Sequence, residues 1–386
     1  MHAGSGSPPA ALVSTDVPGP RTSRGPAVSG ALALLLALAL APRPGSARPV
    51  PTFDARAQLD AAEVVARARI ASLRDLGPAT APYGGGPVRR VLAALDVDFV
   101  VKGPVAPGPL SIELLMPGPV APPNSLPIYT VGETYLVFLK RDQARWILVH
   151  DDVGAQRSLP GLAPGPAPAD PAARLVALYA AALPRAPWNA APTGASYVAA
   201  LDALRGLGDL GGPTAAAATR AVALAPATAP LALLLRADAL AATLKAGDRS
   251  ILKEAVRFIE TADPREPTMN QPQQNVCFAI SQSATLADLA ELHSLLAHRD
   301  DALRLEAVRA VRRLRDARSV FFLAQRLDDS VREVRYHAFL GLAEILGKYE
   351  EYAPAAGDAA REDRAVVLWK AWWKAEGAAR FSPRPP

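Results

Sequence analysis

Six arginines crowd one stretch of the sequence, at Arg304, Arg309, Arg312, Arg313, Arg315 and Arg318, with only Glu306 and Asp316 as acids among them. Guanidinium forks bind carboxylate or phosphate through paired hydrogen bonds. Arg332 and Arg335 follow downstream. Arg304, Arg309, Arg312, Arg332 and Arg335 are therefore candidate partner contacts. Trp369, Trp372 and Trp373 form a second candidate set, because their i, i+3, i+4 spacing places them on one helical face. Such a face either closes the end of a helical stack or anchors a partner. The basic stretch does not amount to a nucleic-acid footprint. Residues 285–386 carry 17 Lys/Arg against 16 Asp/Glu, a balance that suits a salt-bridged, solvated face.

Other reactive side chains are sparse. The five histidines are His2, His150, His293, His298 and His337. His293 and His298 stand five apart, which does not put both on one helical face. There is no H-E-x-x-H, no G-x-S-x-G and no phosphate-binding glycine loop. His150-Asp151-Asp152 has the ligand types of a cation site, and a solvated turn is the simpler reading. Cys277 is the one cysteine, so no internal disulfide can form. It sits in an apolar run with Val276, Phe278 and Ile280, which suits a buried thiol better than a nucleophile. No catalytic, cofactor-binding or metal-binding residue is assigned, and a non-enzymatic protein is expected.

These side chains need elements to hold them, and a repeat supplies the first. Asp300-Asp301 recurs as Asp328-Asp329, 28 residues on. Leu303-Arg304 recurs as Val331-Arg332, Ala310-Val311 as Ala338-Phe339, and Leu314 as Leu342. A fixed short period marks stacked supersecondary units. Leu303, Ala307, Val308, Val311 and Leu314 draw one apolar helical face. Asp301 or Asp329 can cap a helix start by accepting from free N–H groups. An arginine near a helix start opposes the dipole, so each needs an acid: Asp328-Asp329 for Arg304, and Asp300-Asp301 for Arg332. The pattern D-D-x-V/L-R-x-x-x-x-x-A-φ-x-x-L, with φ apolar, resembles short HEAT-like repeats of the phycobilisome-lyase (E-Z) type. That resemblance implies a helical solenoid and leaves the chemistry open.

Upstream, Val91, Ala93, Leu95, Val97, Phe99 and Val101 alternate with polar residues, as a half-buried strand does. Leu110, Ile112 and Leu114 continue after a Gly-Pro turn. Tyr135–Leu139 and Trp146–Val149 suggest a hairpin through Lys140-Arg141-Asp142-Gln143. Glu63–Leu73 fits both helical and strand periods. The series Val64–Ile70, Val97–Gly103 and Val131–Leu139 resembles an OB-like domain of secreted bacterial proteins, distantly similar to tissue inhibitors of metalloproteinases. Those inhibitors depend on an N-terminal cysteine and disulfides absent here, so inhibition is not carried over.

The chain therefore divides as follows. Residues 1–47 read as a signal peptide, with Arg21 and Arg24 ahead of the 11-residue apolar run Ala31–Ala41. That run is shorter than the ~20 residues that span a bilayer. Residues 48–158 form the β domain and 159–172 a Pro-rich linker that sets the two halves apart. Residues 173–386 are helical, with the clearest repeats over 285–346 and a cap over 361–376; Glu266–Gln274 reads as a polar loop. The expected fold is multidomain, a small all-β OB-like barrel followed by an all-α HEAT-like solenoid. The expected function is a secreted or periplasmic scaffold for an unidentified protein partner, and the net charge of +5 over 386 residues demands no membrane or nucleic-acid partner. A lyase-like enzyme or cofactor chaperone, or a nucleic-acid-binding solenoid, is the alternative.

Overall fold

Alternation of apolar and polar residues sets the strands. The computed structural model describes residues 53–80, 87–118, 127–150, 155–157, 168–183, 194–227, 230–261, 267–348 and 359–382. The expected leader over 1–47 and residues 159–167 of the expected linker lie outside them. A short helix α1 (Ala55–Ala61) precedes strands β1 (Val64–Ala79), β2 (Val88–Lys102), β3 (Gly108–Pro117), β4 (Thr134–Asp142), β5 (Arg145–Leu148) and β6 (Ala155–Arg157). The strand order is β1-β2-β3-β5-β4, and β4 pairs back onto β1, so five strands close into a barrel. β3 and β5 run parallel, with Ile112 opposite Trp146 and Glu113 opposite Ile147; the other pairs are antiparallel, and β6 adds to β4.

The barrel interior takes Ala66, Ala68, Ile70, Leu95, Ile112 and Leu139 among others. β2 departs from the single-face expectation. Val97 points inside, whereas Phe99 and Val101 join a different cluster, facing helices. Arg67 pairs with Phe99 and Ala68 with Val97, so Asp98 is an extra residue. One inserted residue is a β-bulge, and it turns the following side chains to the other face. The β4–β5 turn is also tighter than expected. Asp142 pairs with Arg145 and Arg141 with Trp146, leaving Gln143 and Ala144 to turn, with Gln143 at φ 55°. The Arg141 guanidinium lies 4.4 Å from the Trp146 ring centroid, an attraction that favours extending the strand.

Helix α2 (Pro171–Ala182) starts inside the expected linker. Asp170 accepts from the Ala173 N–H at 2.8 Å and Pro171 occupies the first helical position, both favourable there. Long helices α3 (Gly194–Leu210), α5 (Pro230–Lys245), α7 (Pro267–Ser283), α9 (Asp301–Leu314) and α11 (Arg332–Leu346) alternate with shorter ones, α4 (Pro213–Ala223), α6 (Leu252–Thr261), α8 (Leu289–Leu295) and α10 (Val320–Gln325). α12 (Ala359–Trp372) follows, continuing through a π turn into α13 (Ala378–Phe381). Each long helix packs on the next long one, α3 on α5, then α7, α9 and α11, and α12 packs on α11. The expected polar loop is the start of α7. Pro267 takes the first helical position, Gln271 donates to Asn275 one turn on at 3.0 Å, and buried Val276 and Ile280 hold the helix down. Pro272 removes one backbone donor without ending it.

The two halves do not stand apart. Val65, Val101, Leu136 and Phe138 of the barrel share one buried cluster with Leu175, Leu178, Tyr179 and Leu207 of α2 and α3. The Tyr179 hydroxyl donates to Gln156 Oε1 of β6 at 2.5 Å. α3 approaches so closely that a Cβ on Gly206 would sit 2.4 Å from the Tyr179 ring. Leu175→Ala is expected to cost about 2–5 kcal/mol. Barrel and helices should then melt together, as one shared transition in near- and far-UV circular dichroism. Two separated transitions would restore the linker as a divider.

Candidate functional site

Helix α9 begins at its cap. Asp300, not Asp301, accepts from the Leu303 N–H at 2.9 Å. Asp329 caps nothing: α11 starts later in its unit, with Val331 at the cap position. Instead Asp329 receives Arg304 as a fork, Nε to Oδ2 at 2.9 Å and Nη2 to Oδ1 at 3.0 Å. The side chains are 10% and 3% exposed. Burial alone would raise the Asp329 carboxyl, but bonds from Arg304 and the Val331 N–H outweigh it and hold it low. Arg304 also reaches Asp301 at 2.9 Å and the His298 carbonyl at 3.0 Å, so its donors are used inside the fold.

Arg332 does not turn back to Asp300-Asp301. It reaches forward to Glu362 of α12, at 2.8 and 2.7 Å. Arg335 donates to the Asp329 and Ser330 carbonyls. Trp369 and Trp372 are buried, 5.2 Å apart edge to face, and the half-buried Trp373 lies 6.1 Å from Phe321. Of the proposed contacts, Arg304, Arg332, Arg335, Trp369 and Trp372 are thus occupied within the molecule. Arg304 and Arg332 pair with acids of the element that follows, and Arg335 bonds to the turn before its own helix.

Of the remaining three, Trp373 packs half-buried at the end of the helical row, and Arg309 and Arg312 line a cleft. Three clefts run into one another along the long helices. The first, between α3, α5 and α7, holds Arg205, Asp238, Lys245 and Phe278. The second, between α7 and α9, shares Asn275 and Phe278 with it and adds Leu305, Glu306 and Arg309. The third shares Gln282 with the first and Arg309 with the second, and adds Arg312, Arg313, Arg315, His337 and Glu344. Phe278 stands near the middle and is 55% exposed. The apolar run around Cys277 does not all face one way. Successive helical side chains point ~100° apart, so Cys277 is buried and Phe278 is not. Reading the start of α7 as a loop hid that wheel. Arg205, Asp238, Lys245, Phe278 and Glu344 are among the lining residues that sequence reasoning missed.

The charges in this groove are unevenly matched. Burial pushes the Asp238 carboxyl up to about 6 against the pull of Arg205. Burial, then Arg309 and Arg312, push His337 down to about 4, so its ring is neutral near pH 7. Arg309 Nε lies 3.2 Å from His337 Nε2, and Arg312 Nη1 lies 3.1 Å from Nδ1. A neutral imidazole offers only one acceptor nitrogen, so one of these contacts sets donor against donor. Arg312 also donates to Glu344 Oε1 from Nε at 3.0 Å and Nη2 at 2.5 Å.

The other reactive groups do structural work. His293 faces the Ser319 hydroxyl at 2.9 Å and stacks on Phe322. His298 pairs with Glu260 at 3.0 Å. The Cys277 thiol is pushed well up by burial. His150 is exposed, and Asp151 and Asp152 lie outside the described residues. Among the described residues, no three His, Cys, Asp or Glu gather as a metal site, and no helix is long and apolar enough to cross a membrane. In comparisons with known proteins, no family model matches the chain and no curated protein shows significant similarity to it.

Two outcomes follow. Arg304→Ala strands a buried carboxylate and should cost about 3–5 kcal/mol in chemical denaturation. Its effect should not add to that of Asp329→Asn, whereas full additivity would mean the two side chains are uncoupled. For Asp238, the folded carboxyl keeps its proton from the ordinary 3.8 up to about 6, where the unfolded chain has lost it. Stability therefore falls as pH rises through that window, and the loss persists above it. Asp238→Asn should stabilise the fold by about 1–3 kcal/mol at pH 7.5, seen as a higher calorimetric midpoint, and give no gain at pH 3.5.

Proposed function

We propose that the chain is a non-catalytic scaffold, secreted or periplasmic, that holds a protein partner in the groove along α3, α5, α7, α9 and α11. Its closed ring of five strands with a parallel β3–β5 pair fits an OB-like barrel. Its alternating long and short helices, each long one packed on the next, fit a HEAT-like solenoid. Export rests on the leader-like residues 1–47. The observation that carries the reading is Phe278, a large aromatic 55% exposed where the first two clefts meet, with charged side chains on both sides. An aromatic anchor ringed by polar groups is the usual energetic centre of a protein interface.

Phe278→Glu tests this. The exposed ring contributes little to the core, so the thermal midpoint should stay within a degree or two, as surface changes usually do. Proteins captured from the envelope fraction by the intact chain should be lost. A captured set unchanged by Phe278→Glu would remove the groove from the function.

A further inference from the structure

Among the described residues, the cleft at the α9–α11 end of the groove is walled by Arg309, Arg312, Arg313 and Arg315 but only one carboxylate, Glu344. Glu306, which lines the neighbouring cleft, accepts from Arg309 Nη1 at 2.5 Å. Two acids thus face four permanent cations. Glu344 serves both Arg312 and Arg315, the latter at 3.4 Å. Arg313 donates to the Ser281 and Ala284 carbonyls at 2.9 and 2.6 Å, which fixes its position without neutralising its charge. His337 cannot act as a counterion, and its single acceptor nitrogen can hold only one of the two guanidiniums that flank its ring. The opening is about 480 Å³, room for several oxygens. Arg309 and Arg315 are 40% and 66% exposed, with N–H donors turned to solvent.

We propose that this cleft takes carboxylates, and that the partner held in the groove presents an acidic segment whose side chains bridge Arg309, Arg312 and Arg315. The inference rests on the groove reading above and adds the partner's chemistry to it. Arginine forks match carboxylate geometry. A clustered excess of one charge also steers the opposite charge toward it. The apolar contact at Phe278 lies in the neighbouring cleft, which shares Arg309 with this one.

The test uses the full chain and a fluorescent hexaglutamate peptide, followed by anisotropy at fixed ionic strength, with inorganic phosphate and hexalysine as comparators. Hexaglutamate should bind and hexalysine should not. Arg309→Gln combined with Arg315→Gln should weaken binding at least tenfold with little change in thermal midpoint. Arg315→Gln alone, at a side chain 66% exposed, should weaken it as well, with the thermal midpoint checking that the fold is kept. No binding, or binding indifferent to these substitutions, overturns the inference. Phosphate competing at concentrations similar to the peptide's would also overturn it, by making the cleft a site for free oxyanions. If hexaglutamate fails while Phe278→Glu still loses captured proteins, the groove survives and only its acidic partner is lost. If hexaglutamate binds through these arginines while Phe278→Glu changes nothing, the cleft stands and the groove reading falls.

Discussion

A strand that is apolar on both faces cannot be left half in water, and β4 is such a strand. Tyr135, Val137 and Leu139 fill the barrel. Leu136 and Phe138, between them, point the other way and are fully buried against helices. A barrel built from half-buried strands would need no outer layer. This one does, and α1 and α2 supply it, with α3 packed on both. The bulge at Asp98 serves the same end by turning Phe99 and Val101 outward to that layer. The first long helix is therefore fixed by the barrel, and every later long helix is placed by the one before it.

Further along, apolar contact alone would leave one helix free to slide on the next. Leucine, valine and alanine faces are directionless, whereas a guanidinium fork on a carboxylate is not. Arg304 on Asp329 and Arg332 on Glu362 each join one unit to the element after it. Such pairs add little net stability when compared with apolar substitutes, and their attested role is in fixing register. The tryptophans close the last exposed edge, so the candidate side chains richest in apparent binding chemistry are consumed by assembly.

The sequence disclosed the strands because alternation is a local signal, and β2, β3 and β4 could be placed within a few residues. It disclosed the 28-residue repeat because Asp-Asp and Ala recur in fixed places. It did not disclose the bulge at Asp98, which depends on what lies across from Arg67 and Ala68. Nor did it disclose the shared core, because Pro and Ala around residue 165 look like a spacer whatever their flanks pack against. The groove was least legible. Its lining comes from five helices over more than a hundred residues, and no short motif spans that. Arg309 and Arg312 were picked out by density alone, which cannot separate them from Arg304, whose charge is spent internally.

The direction of the arginine pairs has a consequence for how such a chain can change length. The 28-residue segment from Arg304 to Val331 contains both Arg304 and the Asp329 that receives it. A tandem duplication of that segment would carry its own cation and its own anion. The copy would seal its own joint, and Arg332 would still find Glu362. The buried fork would not be orphaned, which is ordinarily the most costly error an insertion can make. The joint is thus copied as a closed electrostatic unit, and the gene can lengthen or shorten the helical row in whole steps while the barrel at one end and the tryptophan closure at the other stay as they are.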